Sequence, residues 1–367
     1  MTSKERLLKC IRHEPIDRVP ISTYELVGWN ENSWENREES YSELMDAIRD
    51  YTDCIYMLNP GVRDVPNQAA NVEEWHEGSS TYLKKTYCTV RGDLECLYRE
   101  DKGIHTTWTL KHLLEDISDT DKYLSIPYKS PVFDMETFDR ELKKLGDKGL
   151  MMITVEDPIC LAAELFEMGK FLVYAVTEQE KVKYFLDAIH ERQMHSLKEI
   201  LKFDVKDIIF RICGPEYATP PYLSPDYFQY YVTCYLEKMC KEIKDAGGIP
   251  RIHSHGKIGK VIDQFAKTEA ECIDPVEPPP DGDIGLSEVK RLYGDKFCIF
   301  GNIELKELEC ANAKRIDFLV KEAMESAKHG SGFVLMPTAA PINVPLSLNT
   351  KNNYLQMINS AHEYGRY

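Results

Sequence analysis

The chain has 367 residues, of which 43% are hydrophobic and 29% charged, a composition typical of a globular protein with a sizeable core. Its 61 acidic residues outnumber 45 basic ones, which gives a formal net charge of −16. This excess argues against nucleic acid or an anionic membrane as a partner, because both require clustered lysine and arginine. No apolar run approaches the roughly 20 residues of a membrane-spanning helix. The first residues open an amphipathic segment and not a signal peptide, so we expect a cytoplasmic protein.

The cysteines number eleven, an odd count, and none of them forms a C-x-x-C pair. In a cytoplasmic chain this pattern predicts free thiols and not a disulfide framework. Most of them, including Cys213, Cys272 and Cys298, fall inside apolar runs, where packing in the core is the commoner role.

The beginning of the chain alternates helix and strand. Residues 3–13 have apolar side chains at helical spacing, and residues 41–50 show a second helical pattern. Between them, Val19–Thr23 reads as a short buried strand. A second strand, Cys54–Leu58, is stopped by Pro60, because proline cannot donate a hydrogen bond to a neighbouring strand.

The region from about 61 to 149 differs in kind. Turn residues such as Gly92 and Asp93 separate short β-like runs, a pattern that predicts antiparallel hairpins. The runs are Tyr82–Val90, Leu94–Tyr98 and Ile104–Leu110. A polar helical segment follows near 133–146. We interpret the region as a hairpin-rich insertion after the second strand that caps the main domain.

After residue 149, apolar strands and helices alternate regularly. The predicted strands are Leu150–Val155, Val205–Cys213, Ile249–His255, Glu271–Val276, Phe297–Asn302 and Gly332–Thr338. The predicted helices cover about 179–201, 224–247, 257–270, 313–328 and 348–364. The clearest of these begins with Ser224 as N-cap and Pro225 at its first position, and ends before Gly247.

Near-continuous apolar strands that alternate with helices indicate an α/β protein with a parallel sheet. Together with the two early strands the count is eight, the number that closes a (β/α)8 TIM-type barrel. We therefore expect one barrel domain over residues 1–367 with the cap inserted at 61–149. An open doubly wound sheet is the alternative, but its glycine-rich first turn is missing. The segment Gly256–Lys260 has the wrong spacing for a phosphate loop.

The candidate site centres on His253 and His255, at the end of a predicted strand. Alternate side chains of a strand point to the same face, so we expect the two imidazoles to project side by side. In a barrel this position is the carboxyl-terminal mouth, where such enzymes carry their chemistry. Polar residues follow most other predicted strands as well: Glu156, Asp157, Glu216, Asp274, Glu277, Asn302, Glu304 and Thr338.

Imidazoles and carboxylates gathered at one rim suit a divalent metal or a proton-transfer site. Catalytic zinc keeps three protein ligands, which His253 and His255 would complete with Glu216, Asp274 or Glu277. The structural alternative is a pair of hydrogen-bonded histidines, with the carboxylates as helix caps or ion-pair partners. Both readings stay open on the residues alone.

Two stiff proline-rich loops follow predicted strands. Glu277 begins one of them, which is either a rigid connector or, in the interpretation we favour, a loop that directs Glu277 into the cavity. The other loop contains Tyr217 and Tyr222. These tyrosines either line a substrate pocket or pack on the barrel rim.

Five segments together resemble the uroporphyrinogen decarboxylase superfamily, over nearly the whole chain. They are Arg12–Pro20, Pro221–Phe228, Gly247–Gly256, Phe300–Ile303 and Gly332–Thr338. The resemblance implies a (β/α)8-type barrel. It also implies one of two activities, since the superfamily contains uroporphyrinogen decarboxylases and zinc-dependent methyltransferases that serve corrinoid proteins.

The chain resembles the methyltransferase branch more closely. The decarboxylases have an arginine-rich loop after the first strand, whereas no arginine occurs between Val19 and Asn30 here. The methyltransferases bind zinc through a His-x-Cys pair and a distant cysteine. Here His255 replaces the first cysteine, and Ala339 and Ala340 stand in the region of the second.

From this resemblance we expect one zinc, held by His253, His255 and Glu216, and a corrinoid supplied by a partner protein. The expected reaction moves a methyl group between that corrinoid and a small thiol, methoxy or methylamine compound. The residues expected to serve it are Glu216, Asp157 and Glu277 in catalysis, and Tyr217, Tyr222, Asn302 and Thr338 in substrate binding. A homodimer is the commonest assembly for such a protein.

Two alternatives remain. The first is a decarboxylase or other lyase of a small acid, with Asp157 or Glu277 as a proton donor whose pKa is raised by burial. The second is a non-catalytic protein that binds a corrinoid or a tetrapyrrole, which the missing family cysteine favours.

Overall fold

A computed structural model describes residues 1–64 and 70–367. Its strands are β1 (Cys54–Met57), β2 (Gly61–Asp64), β3 (Asn71–Glu77), β4 (Ser80–Tyr87), β5 (Leu94–Asp101), β6 (Thr107–Lys111), β7 (Val132–Asp134), β8 (Gly149–Glu156), β9 (Ile209–Cys213), β10 (Ile249–His253), β11 (Cys272–Asp274), β12 (Cys298–Ile303) and β13 (Phe333–Pro337). Its helices are α1 (Ser3–Ile11), α2 (Ser42–Tyr51), α3 (Asp119–Leu124), α4 (Met135–Leu145), α5 (Pro158–Leu165), α6 (Met168–Thr177), α7 (Gln179–Ile200), α8 (Pro225–Phe228), α9 (Cys234–Asp245), α10 (Ile262–Ala266), α11 (Leu286–Tyr293), α12 (Leu305–Cys310), α13 (Ala313–Ala327) and α14 (Leu348–Tyr364).

The main sheet is parallel, with the order β1-β8-β9-β10-β11-β12-β13. Helices connect most consecutive strands, so the predicted α/β class is confirmed and the architecture is TIM-like. Strands β10 and β11 are shorter than predicted. His253 ends β10, and His255 lies in the following loop. In the register, His253 lies opposite Cys213 on one side and Asp274 on the other.

The prediction of a complete first strand at Val19–Thr23 is wrong. This segment forms one isolated β-bridge, between Ile21 and Leu335 of β13. Backbone hydrogen bonds nevertheless join it on both sides. Ser22 N donates to Leu335 O at 2.9 Å, and Asp53 N donates to Ile21 O at 2.7 Å. The segment therefore lies between the two edge strands of the curled sheet.

Inward-facing and outward-facing side chains alternate along the strands. Ile209 packs in one hydrophobic cluster with side chains of other strands and of α1, whereas its neighbour Phe210 packs in a second cluster with the outer helices. The inner cluster is completed by Leu7, Cys10 and Ile11 of α1, which cover one end of the sheet. Side chains two and four residues beyond Ile209 therefore face the interior, towards the carboxyl end.

Between β1 and β8, strands β3 to β6 form a four-stranded antiparallel sheet, and β2 pairs with β7. The hairpin interpretation placed three runs here, and the structure adds Asn71–Glu77. An antiparallel bridge joins Ile104 to Asn343, beyond the carboxyl end of β13. This contact attaches the antiparallel sheet to the end of the main sheet where the candidate residues lie.

The structure confirms the residues predicted to begin and end the helix that starts at Ser224. Ser224 Oγ accepts a hydrogen bond from Tyr227 N, Pro225 occupies the first turn, and Gly247 follows with a φ of 88°. The helical run from α8 to α9 contains a π-helical segment, Gln229–Thr233. None of the helices in the described ranges has both the length and the apolar character that a bilayer span requires. All eleven cysteines are free thiols.

Candidate active site at the carboxyl end of the sheet

A buried arginine lies beneath the histidine pair. Arg251 is fully buried, and its Nε donates to Asp274 Oδ1 at 2.6 Å. Its guanidinium also lies 4.3 Å from the ring centroid of Phe300. Burial would raise the pKa of Asp274, but the attraction of Arg251 and His253 outweighs it and holds that pKa well below its ordinary value. Asp274 is therefore an ionised acceptor inside the barrel.

His253 is held by the same carboxylate. Its Nδ1 lies 2.6 Å from Asp274 Oδ2, and the residue is 2% exposed. Burial lowers the pKa of His253 to about 4 despite the neighbouring Asp274, so the ring is neutral at pH 7. Because an ionised carboxylate can only accept, Nδ1 carries the proton and Nε2 keeps its lone pair.

Tyr24 connects this histidine to a second buried arginine. Its hydroxyl accepts a hydrogen bond from Arg211 Nη2 and lies 3.5 Å from His253 Nε2. Arg211 is 8% exposed, its Nε has no partner, and its nearest carboxylate, Glu25, is 3.8 Å away. A polar chain thus runs through the barrel interior, which we call the inner layer: Arg211, Tyr24, His253, Asp274 and Arg251.

Sequence reasoning missed Tyr24, Arg211 and Arg251. A signal existed for the arginines, because each is the charged residue of an otherwise apolar strand. Arg211 precedes Cys213 by two residues, and Arg251 precedes His253 by two, so each shares an inward face with a rim residue. Tyr24 had no comparable signal, because it comes from an irregular segment.

His255 lies above the inner layer. Its ring centroid is 4.7 Å from that of His253, with the ring planes at 89°. Its Nδ1 lies 2.7 Å from Glu277 Oε1, and Glu277 Oε2 accepts from Gly256 N at 2.6 Å. Burial would lower the pKa of His255, but Glu277 outweighs it and raises that pKa. The side chain is 34% exposed, so this imidazole is the one that solvent reaches.

Two further carboxyl groups lie at the mouth. Glu216 Oε2 accepts from Gly214 N at 3.1 Å, and burial raises its pKa although His255 and Arg211 oppose the shift. Glu304 is 8% exposed, and burial together with Glu277 raises its pKa to about 7. Its Oε1 has no hydrogen-bond partner. We call His255, Glu277, Glu216 and Glu304 the mouth layer.

Asp157 has two roles in the structure. Its Oδ1 accepts from Cys160 N at 2.8 Å, so it caps α5, as the structural alternative for a carboxylate anticipated. Its Oδ2 is buried without a partner. Burial raises the pKa of Asp157 well above its ordinary value, and the neighbouring Glu216 adds to the shift. A buried carboxyl group with a raised pKa therefore lies beside Glu216.

Three of the four residues predicted to bind substrate make side-chain hydrogen bonds at the rim. Tyr217 OH donates to Glu164 Oε1 at 3.1 Å, and Asn302 Nδ2 donates to Val276 O at 3.1 Å. Thr338 is buried, and its Oγ1 accepts from Leu305 N at 3.2 Å. Tyr222 is 56% exposed. Their part in substrate binding stays a prediction.

The two imidazoles suit a zinc ion in their chemistry. Each has Nδ1 against a carboxylate, the arrangement that orients zinc-binding histidines and leaves Nε2 as the ligand atom. Catalytic zinc takes three protein ligands. Within residues 1–64 and 70–367, however, no three His, Cys, Asp or Glu side chains are close enough together to hold a metal. Glu216 as the third ligand therefore stays a prediction.

Comparison with family models identifies the family of this chain. The family model "Uroporphyrinogen decarboxylase (URO-D)" matches residues 99–364. A curated relative, the methylcobamide:CoM methyltransferase MtaA of Methanosarcina barkeri, is 23% identical over 161 residues, which are 44% of each chain. The match thus spans less than half the length of that relative. A solved structure of a methyltransferase from Methanosarcina mazei shares the fold, with a TM-score of 0.63 and 17% identity over 99% of both chains.

Proposed function

Because this chain belongs to the uroporphyrinogen decarboxylase family, we propose that it is a methyltransferase that moves a methyl group between a small substrate and a corrinoid. The similarity to MtaA supports this branch of the family. The proposed substrate is a thiol, a methoxy compound or a methylamine. The corrinoid would be carried by a partner protein that docks over the mouth, and residues 61–149 would form the cap beside it.

One observation carries the proposal: each of two adjacent imidazoles has Nδ1 within 2.7 Å of a carboxylate oxygen, which leaves Nε2 as the ring atom that can bind a metal. His253 and His255 are the residues that would hold zinc, with Glu216 as the proposed third ligand, which would have to move closer to the two imidazoles than it lies in the structure. When bound, zinc lowers the pKa of a thiol or alcohol at its open position.

The residues of the chain prepare this site. Asp274 and Glu277 fix the tautomers and orientations of the two rings, and Arg251 keeps Asp274 ionised. A substrate thiol must lose its proton before it can attack a methyl group. Glu304, whose pKa is raised to about 7 by burial and by Glu277, is suited to accept that proton near neutral pH.

The test is the demethylation of methylcobalamin in the presence of a panel of thiols, followed by absorbance. The wild-type protein should contain about one zinc per chain and should react with at least one thiol. Replacing both His253 and His255 with alanine should release the zinc and reduce the rate by about 100-fold or more. His329→Ala is the matched control, because His329 is exposed before β13, at the opposite end of the sheet.

Two results would contradict the proposal in different ways. Zinc retained by the double variant would show that the ligand assignment is wrong. Failure of every thiol, methoxy compound and methylamine to exchange a methyl group with the cobalamin would exclude methyl transfer itself.

A second candidate function is the decarboxylation of a small carboxylic acid, and Arg211 favours it. The sequence showed no arginine clamp, but the structure places a buried guanidinium with an unpartnered Nε beside Tyr24. Buried Asp157, whose pKa is raised, would be the proton donor. Carbon dioxide release from a carboxylic acid without any demethylation of methylcobalamin would favour this reading.

A further inference from the structure

A cavity lies away from the histidine pair. It has a volume of about 820 Å³ and lies between the antiparallel sheet, the carboxyl end of β8 and α7. Val155 lines it from β8, Leu197 from α7 and Thr109 from β6, whereas neither His253 nor His255 borders it. Its size falls within the roughly 300–1,000 Å³ of small-molecule sites.

The walls of this flank cavity are mainly apolar and aromatic. Four tyrosines contribute to the lining: Tyr87 and Tyr98 from the antiparallel sheet, and Tyr123 and Tyr128 from the segment that follows it. Aliphatic side chains of β8, α5 and α7 complete the surface. Such a lining favours a ligand whose body is an aromatic ring system, because rings stack on aromatic side chains and bury apolar area.

Two side-chain oxygen atoms of the lining residues are buried without a hydrogen-bond partner. Gln193 Nε2 donates to Asp157 O at 3.4 Å, but its Oε1 has no partner. Thr154 Oγ1 also lacks a partner. A buried acceptor without a donor costs free energy that a ligand hydroxyl can recover. The arrangement therefore calls for a ligand that donates a hydrogen bond.

The charges of the lining balance. Lys129 and Arg192 contribute two positive groups, and Glu156 and Glu164 contribute two carboxyl groups. Arg192 is already occupied, because its Nη2 donates to the carbonyl oxygens of Leu124 and Ile126. An anionic ligand would meet both carboxyl groups, and Lys129 alone would have to compensate them. A neutral ligand avoids that cost.

We propose that the flank cavity is a binding site for a neutral aromatic alcohol, separate from the mouth. Aromatic side chains would hold the rings, and Gln193 Oε1 would accept the hydroxyl proton. The proposal does not depend on the methyltransferase assignment, because no residue of the histidine pair takes part in it.

The test uses 2-naphthol as the probe, with its intrinsic fluorescence as the readout. Saturable binding is expected. Naphthalene, which lacks the hydroxyl, should bind about fivefold more weakly, and the anion 2-naphthoate more weakly still. The double variant with His253 and His255 replaced by alanine should bind 2-naphthol as the wild type does, so failure here and failure of the methyl-transfer proposal are distinguishable.

Two variants locate the site. Thr109→Trp narrows the cavity from an exposed strand position and should weaken binding at least tenfold, whereas Leu110→Trp, exposed on the opposite face of β6, should leave it unchanged. Gln193→Leu should bind 2-naphthol and naphthalene equally. The absence of saturable binding, binding that survives Thr109→Trp, a preference for 2-naphthol that survives Gln193→Leu, or 2-naphthoate binding as tightly as 2-naphthol would overturn the proposal.

Discussion

The two layers of the candidate site contain similar pairs of residues but differ in how far solvent reaches them. In the inner layer, His253 and Asp274 are almost completely buried, and Arg251 compensates the carboxylate. In the mouth layer, His255 and Glu277 form the same kind of pair, but the imidazole is 34% exposed. The charged groups of the inner layer make short hydrogen bonds that are buried away from water. This layer therefore supports the mouth layer above it. The mouth layer keeps an imidazole that a substrate can reach.

The largest expected difference between the layers is in stability. Asp274→Asn removes the charge that balances buried Arg251, and we expect it to lower the free energy of unfolding by about 3–5 kcal/mol. Glu277→Gln should cost about 1 kcal/mol, because water can solvate the partly exposed His255 instead. Urea unfolding of both variants measures the difference. Equal losses would show that the inner layer is not the support.

The pH dependence of stability should separate the two histidines. The pKa of His253 is about 4 in the folded protein and near 6.5 when unfolded, so between these values the unfolded state binds more protons. Stability attributable to His253 therefore falls as pH falls, by roughly 2 kcal/mol from pH 7 to pH 5. In the His253→Asn variant, the midpoints of urea unfolding at pH 7 and at pH 5 should therefore differ by less than they do in the wild type.

His255 should behave with the opposite sign. Glu277 raises its pKa against the effect of burial, so its protonated form stabilises the folded state. That contribution is present below the unfolded pKa and is lost as pH rises through the folded pKa. The stability difference between the wild type and His255→Asn should therefore shrink as pH rises. A difference that grows with pH would contradict the assigned ion pair with Glu277.

The smallest expected effect concerns the hydrogen bond that Arg211 donates to the hydroxyl of Tyr24. Tyr24→Phe removes the hydroxyl that accepts from Arg211 and should lower the free energy of unfolding by about 1–2 kcal/mol. Tyr222→Phe is the matched control and should change it by less than about 0.5 kcal/mol, because Tyr222 is 56% exposed. If both variants unfold alike in urea, Tyr24 contributes packing alone to the inner layer.

Local patterns predicted much of the fold, because the signals that set it lie close together in the chain. Ser224, Pro225 and Gly247 marked one helical run correctly, and apolar strands alternating with helices gave the parallel sheet. Val19–Thr23 was overestimated as a strand, since its pairing depends on β13, more than 300 residues away in the sequence. Likewise, the i, i+2 spacing correctly predicted that His253 and His255 lie close together. It did not predict that β10 ends at His253, which leaves His255 in the following loop.

By itself, the sequence determined the α/β class, the position of the histidine pair and the carboxylates that follow the strands, because periodicity and spacing encode which face a side chain occupies. Only the tertiary structure decided which carboxylate meets which imidazole. Asp274 and Glu277 are each about 20 residues from their histidines and reach them because β10 and β11 are neighbours. Tertiary packing also buried Arg211 and Arg251 in the interior and opened the flank cavity, since both depend on elements distant in the chain.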